Sequence, residues 1–158
     1  SNSATITGGA DGVLILDDFE GTFVNTGSIL GQNEDGVEIG DSLRGMFINR
    51  GTIIGGEEGI QVGQDLFANS QEFTGTLTNY GSITGGDDGL DVFNGDSGGV
   101  ITNRGSITGG DDGSDVDGDL TGRIDNFGTV RGVFDGVDTD GLFSGDSLNC
   151  RIVEGGPF

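Results

Sequence analysis

The run Asp111-Asp112-Gly-Ser-Asp115-Val-Asp117-Gly-Asp119 places five carboxylates in nine residues, and Asp135, Asp138 and Asp140 follow soon after. Carboxylates and backbone carbonyls at a glycine-rich turn are hard oxygen ligands of the kind Ca²⁺ gathers in sets of about six to eight. Divalent-cation binding is therefore the chemistry this stretch points to. The acids at 115, 117 and 119 alternate and so share one face of an extended segment, while Ser114 stands where comparable stretches carry an aliphatic residue. Asp11, Asp35, Glu58, Asp88, Asp112 and Asp135 each precede a glycine, with Glu34, Glu57, Asp87 and Asp111 beside them. Stacked at strand spacing, such like charges repel by on the order of 1 kcal/mol per neighbour even in water. A bound cation, or salt at a solvated edge, offsets that repulsion. The expected metal ligands are Asp88, Asp111, Asp112, Asp115, Asp117, Asp119, Asp135, Asp138 and Asp140, with Ca²⁺ as the ion.

What stacks these acids is a repeat. The pattern Asn-x-Gly-Ser/Thr-Ile/Val recurs at Asn25, Asn49, Asn79, Asn103 and Asn126, with a degenerate copy at Asn2, giving periods of 23, 24, 30, 24 and 23 residues. The third is longer because residues 64–71 bulge out of the pattern. Two further blocks keep fixed order with the Asn block: acidic-Gly-aliphatic-x-aliphatic, as in Asp88-Gly89-Leu90-Asp91-Val92, and apolar-x-Gly-x-apolar-x, as in Phe73 to Thr78. The last repeat ends in one of two ways. Asn149 lies 23 residues beyond Asn126, but Leu148 to Val153 imitates the block that precedes each Asn and would put Glu154 in the Asn slot; the second reading is preferred.

A period in the twenties, alternation of two and no helical periodicity predict an all-β fold: a three-sided parallel β-helix of about six turns, roughly 30 Å long. The right hand of parallel crossovers predicts a right-handed coil. Residues 1–158 form a single solenoid domain on this reading, with 154–158 as a tail. Alternation assigns three inward columns: Ile6, Ile29, Ile53, Ile83, Ile107 and Val130; the pairs Val13/Ile15, Val37/Ile39, Ile60/Val62 and Leu90/Val92; and Phe23, Phe47, Leu77, Ile101 and Ile124. Thirty-five glycines at fixed repeat positions suit corners that need positive φ or close packing, and each Asn suits an amide ladder from turn to turn.

A net charge of −21, with neither lysine nor histidine, argues against nucleic-acid binding and against anionic membranes, because nothing neutralises phosphates. No apolar run is long enough to span a membrane. The chain starts almost in register at Asn2, as a processed product or an excised piece does, and Cys150, being alone, is read as a corner residue or a link between subunits.

The repeat N-x-G-[ST]-I-x-G-G-x-D-G-[IL] resembles the passenger β-helices of bacterial autotransporters and adhesins over almost the whole chain. The segments GGDDGLDV and GGDDGSDVD more loosely resemble the calcium rolls of repeats-in-toxin proteins, whose period is 18. The first resemblance implies an extracellular, cell-surface solenoid serving as a stalk or adhesin; the second implies calcium. The expected function is structural and not enzymatic, with head-to-tail self-assembly into a filament, or a surface glycan or protein, as partner. Phe158 is expected to plug the core inwardly. Polysaccharide lyases and uronate epimerases share parallel β-helices, which makes sugar binding or modification the alternative. Its candidates are Tyr80, Arg44, Arg50, Arg104, Arg123, Arg131 and Arg151 with the carboxylates, and Arg50, Tyr80 and Arg104 are expected to stack as one outward strip. Outward hydroxyls at Thr5/Thr7, Ser82/Thr84 and Ser106/Thr108 leave an ice-binding face as a third reading, interrupted by Leu30, Ile54 and Arg131.

Overall fold

A computed structural model describes residues 1–63, 72–93, 97–139, 141–142, 144–149 and 152–155, with the backbone alone for Ile152 and Val153. Asp140, Cys150, Arg151, Phe158 and the bulge at 64–71 lie outside the described residues. Strands of three or four residues follow each other around three sides, and each pairs in parallel with the strand one repeat away. The first side holds seven strands, Thr5–Gly8, Ser28–Gly31, Thr52–Ile54, Ser82–Thr84, Ser106–Thr108, Thr129–Arg131 and Ile152–Glu154. The second holds five, Val13–Ile15, Val37–Ile39, Ile60–Val62, Leu90–Val92 and Ser114–Val116. The third holds six, Thr22–Asn25, Met46–Asn49, Thr76–Asn79, Val100–Asn103, Arg123–Asn126 and Asp146–Asn149. The chain is thus a parallel β-solenoid of about six turns.

Identical repeat positions pair with each other, so Ile29 lies over Ile53, Leu90 over Ile60 and Phe47 over Leu77. The three columns named above point inward as expected, and most of their members are fully buried. Burying each such side chain stabilises by about 1.5–3 kcal/mol, which a lone repeat could not collect. In the first turns, Phe23 stacks on Phe47 with ring centroids 4.7 Å apart. A further inward series, Phe19, Leu43, Phe73 and Leu120, escapes alternation because these residues make isolated bridges at the corner before the third side.

The corner glycines answer to packing more than to φ. Among the described glycines, Gly63 has a positive φ, 91°. At Gly105 a Cβ would overlap the Gly81 carbonyl oxygen of the preceding turn, so the turns can approach only where that atom is missing.

The register corrects the reading of the last repeat. Asn126 pairs with Asn149, while Glu154 pairs with Arg131 on the first side and so belongs to a strand instead of the Asn slot or a tail. Ser147, not an aliphatic, occupies the inward position beneath Ile124. The apolar pattern had slipped because the residue at that repeat position is polar and, in this last turn, exposed.

Candidate functional site

Each Asn ends a third-side strand with its side chain turned into the corner. Asn25, Asn49, Asn79, Asn103 and Asn126 are buried, and each Nδ2 donates to the Oδ1 of the Asn one repeat later, at 2.9 Å for the first five rungs from Asn2. The final rung, Asn126 to Asn149, is 3.1 Å. Each Oδ1 from Asn2 to Asn126 also accepts the backbone N–H two residues ahead, as Gly81 N donates to Asn79 at 3.1 Å. The amide thereby satisfies the corner backbone and ties neighbouring turns, which is a structural occupation for a residue that sequence alone leaves chemically open.

The acids stack at the next corner, as the repeat predicts, and the backbone meets part of their repulsion. Asp11 Oδ1 accepts the Asp35 N–H at 3.1 Å, Asp35 Oδ1 accepts that of Glu58 at 3.1 Å, Asp88 Oδ1 that of Asp112 at 2.8 Å, and Asp112 Oδ1 that of Asp135 at 2.7 Å. A carboxylate that accepts an amide is stabilised as an anion. Burial works the other way and prevails: it raises the Asp35, Glu58, Asp88 and Asp112 carboxyls above their ordinary values, with repulsion from neighbouring acids adding to it.

Negative charge is most closely gathered near the start of the ladder. Among the described residues, Asp11, Asp35 and Glu38 form the trio of acids whose carboxylate oxygens all come within 4.8 Å of one another. With Glu34 and Glu57 they line a recess of about 220 Å³. Sequence reasoning placed the densest candidate three turns further along. Its members are neighbours too: Asp117, Asp88, Asp138 and Asp112 all act on Asp115, and Asp135 and Asp111 act with Asp138 on Asp112. Asp119 is engaged at a different corner, where its Oδ1 accepts the Leu142 N–H at 2.8 Å. Ser114 faces inward opposite Leu90, on the other face of the strand from Asp115.

A column that the repeat analysis did not single out is the x of the acidic-Gly-aliphatic-x-aliphatic block, Leu14, Glu38, Gln61, Asp91 and Asp115, which runs up the outer face of the second side. Gln61 and Asp91 are buried there although they point away from the core, with 3% and 6% of their surfaces exposed. Their signal in the sequence was the polar residue between two inward aliphatics, which reads equally well as a solvated position.

Each described arginine has a partner. Arg44 pairs with Asp18, Arg123 Nε with Asp125 at 2.7 Å, and Arg131 Nε with Glu154 at 2.9 Å. Arg50 lies over the Tyr80 ring at 5.2 Å and Arg104 over the Phe127 ring at 4.5 Å, which extends the expected outward strip by one turn. Such exposed contacts contribute about 0.5–1 kcal/mol, so Arg104→Ala is expected to lower the unfolding free energy by less than about 1 kcal/mol in urea titration. A larger loss would mark the strip as more than a charge-balancing surface. The outward hydroxyl positions form two columns on the first side, one of Thr5, Ser28, Thr52, Ser82, Ser106 and Thr129, the other broken by Leu30, Ile54 and Arg131.

Comparison with protein-family models, curated proteins and solved structures returns no match. The functional reading therefore rests on the geometry and charge of the chain itself.

Proposed function

We propose that this chain is a non-catalytic scaffold of an extracellular surface, a β-solenoid whose acidic corner is supported by Ca²⁺ and whose copies join end to end. The observation that carries this reading is the recess of Asp11, Glu34, Asp35, Glu38 and Glu57, five acids with no cationic side chain among its described lining residues. Hard carboxylate oxygens so close together match Ca²⁺, which accepts irregular oxygen shells at about 2.3–2.6 Å. Open sites of this kind belong to the weak class, with dissociation constants of about 0.1–1 mM, and such sites fill where calcium is millimolar, outside cells.

What supports end-to-end joining is the apolar surface of the first and last described turns. The first-turn core residues Ile6, Val13, Ile15, Phe19 and Phe23 are only partly buried, and the last turn borders an open cleft of about 340 Å³ lined by Ile124, Val137 and Leu148 among others. Strand edges and apolar surface at both ends are covered when a second copy continues the stack.

Thermal unfolding and sedimentation in millimolar Ca²⁺, then in chelator, test both parts. Calcium at about ten times its dissociation constant adds about 1.4 kcal/mol per site, expected as a rise of at least about 3 °C in melting temperature, together with growth into rods. An unchanged melting temperature removes the cation from this reading. A monomer at all concentrations in calcium removes the assembly.

A further inference from the structure

We propose that Asp91 and Asp115, on adjacent rungs of the outer face of the second side, hold one divalent cation of the hard, oxygen-seeking class, Ca²⁺ foremost, with Gln61 on the rung before them orienting Asp91. This deepens the cation-supported reading above and rests on it, but it assigns the ion to a site other than the Asp11–Asp35–Glu38 recess.

Gln61 pairs with Asp91 and Asp91 with Asp115 in register, so their side chains stand about 4.8 Å apart along the column. Gln61 Nε2 donates to Asp91 Oδ2 at 3.3 Å, which orients the amide and leaves its carbonyl oxygen to find another partner. It finds none. Gln61 Oε1, Asp91 Oδ1 and Asp115 Oδ1 are all closed to solvent and without a hydrogen-bond partner. A buried acceptor left unpaired costs about 1–3 kcal/mol, more when charged, and here three gather on adjacent rungs.

The chemistry of the missing partner follows from the atoms that lack it. All three are acceptors and two belong to carboxylates; the orphaned hydroxyl next in the chain, Ser114 Oγ, lies on the inner face of the strand and cannot reach them. A water brings two protons and no charge to such a set, whereas a cation between Asp91 and Asp115 answers both carboxylate oxygens and their charge together. An ion at about 2.3–2.6 Å also sits closer to its ligands than a hydrogen-bonded water. The surrounding field has the right sign, because Asp117, Asp88 and Asp138 act on Asp115, and Asp117 and Glu58 act on Asp91. Burial first, and these like charges next, push the Asp91 carboxyl up to about 7 and that of Asp115 to about 6, as expected of acids whose compensating charge is missing.

The test is calcium binding by equilibrium dialysis at pH 8, with melting temperature in parallel, on the full chain and two double variants. In Asp91→Asn/Asp115→Asn, one bound Ca²⁺ per chain is expected to disappear, while melting in chelator moves upward because repulsion is relieved. In Asp11→Asn/Glu38→Gln, that Ca²⁺ is expected to remain. Asp115→Asn alone, at the less buried rung, is expected to weaken the same binding at least tenfold, and it carries the test if the double variant does not fold. Undiminished binding in the Asp91/Asp115 variants overturns the site. If binding is lost only in the Asp11/Glu38 variant, the ion belongs to the recess: this inference fails and the cation-supported scaffold stands. If the unsubstituted chain takes up no calcium and its melting is unmoved, both fail.

Discussion

Replacement of Asn79 by leucine is expected to lower the unfolding free energy by about 3–5 kcal/mol, although leucine has the same number of side-chain heavy atoms as asparagine. The substitution strands the Gly81 N–H and breaks two rungs, the bond from the Asn49 amide to Asn79 Oδ1 and the bond from the Asn79 amide to Asn103 Oδ1, although Asn49 and Asn103 keep their bonds to backbone. An unsatisfied buried N–H costs on the order of 1–3 kcal/mol, and each lost rung adds about 0.5–1.5 kcal/mol. Because turns touch only their neighbours, the loss falls at the junction of the turns on either side and divides the cooperative unit there. Urea unfolding followed by circular dichroism, with amide exchange to locate the opening, checks both magnitude and place. Asn2, at the first rung, is bonded to a single neighbouring Asn, so Asn2→Leu is expected to cost less. A change below about 1 kcal/mol at Asn79 would mean that the ladder is a consequence of stacking and not a cause of it.

Acidification should stabilise this protein, the reverse of ordinary acid denaturation. Asp35, Glu38, Glu58, Asp88, Asp91, Asp112 and Asp115 all have carboxyls raised by burial, with neighbouring acids adding to it. An acid with a raised folded-state value binds more protons folded than unfolded. Its contribution is therefore fully present below the unfolded value near 4 and is lost as pH rises through the folded value. For Asp91 that window runs from about 4 to about 7 and is worth on the order of 2–4 kcal/mol. In chelator, the melting temperature is expected to climb as pH falls from 8 to 5. On the proposed cation-supported reading, calcium at pH 8 replaces the neutralisation that protons bring at pH 5, and the climb is expected to flatten when calcium is present. A melting temperature that falls steadily over the same range would show that these carboxylates are well compensated in the folded state.

Much of the architecture was legible in the residues. Asn25, Asn49, Asn79 and Asn103 stand over one another because in-register parallel pairing places equal repeat positions together, and counting the spacing is enough to see it. The inward columns followed from alternation. The reading failed where a position lost its type: Ser147 in a core slot shifted the apparent apolar pattern and moved the last rung from Asn149 to Glu154. It named the apolar residue that opens each third block, as at Phe73, but gave no inward place to Phe19, Leu43, Phe73 and Leu120, which turn inward at a corner where strand alternation does not operate.

The sequence by itself determined which side chains form columns, and hence the amide ladder, the acid ladder and the apolar core, because a repeat that coils with a fixed period converts equal spacing along the chain into contact between turns. Only the tertiary structure decided how each column is met. Whether an acid receives an amide, as Asp35 does from Glu58, depends on the path of the corner. Whether an outward residue is wetted or buried, as Gln61 and Asp91 are, depends on what lies over the sheet. Both are matters of distance across turns, and a position's residue type and spacing are the same in either case.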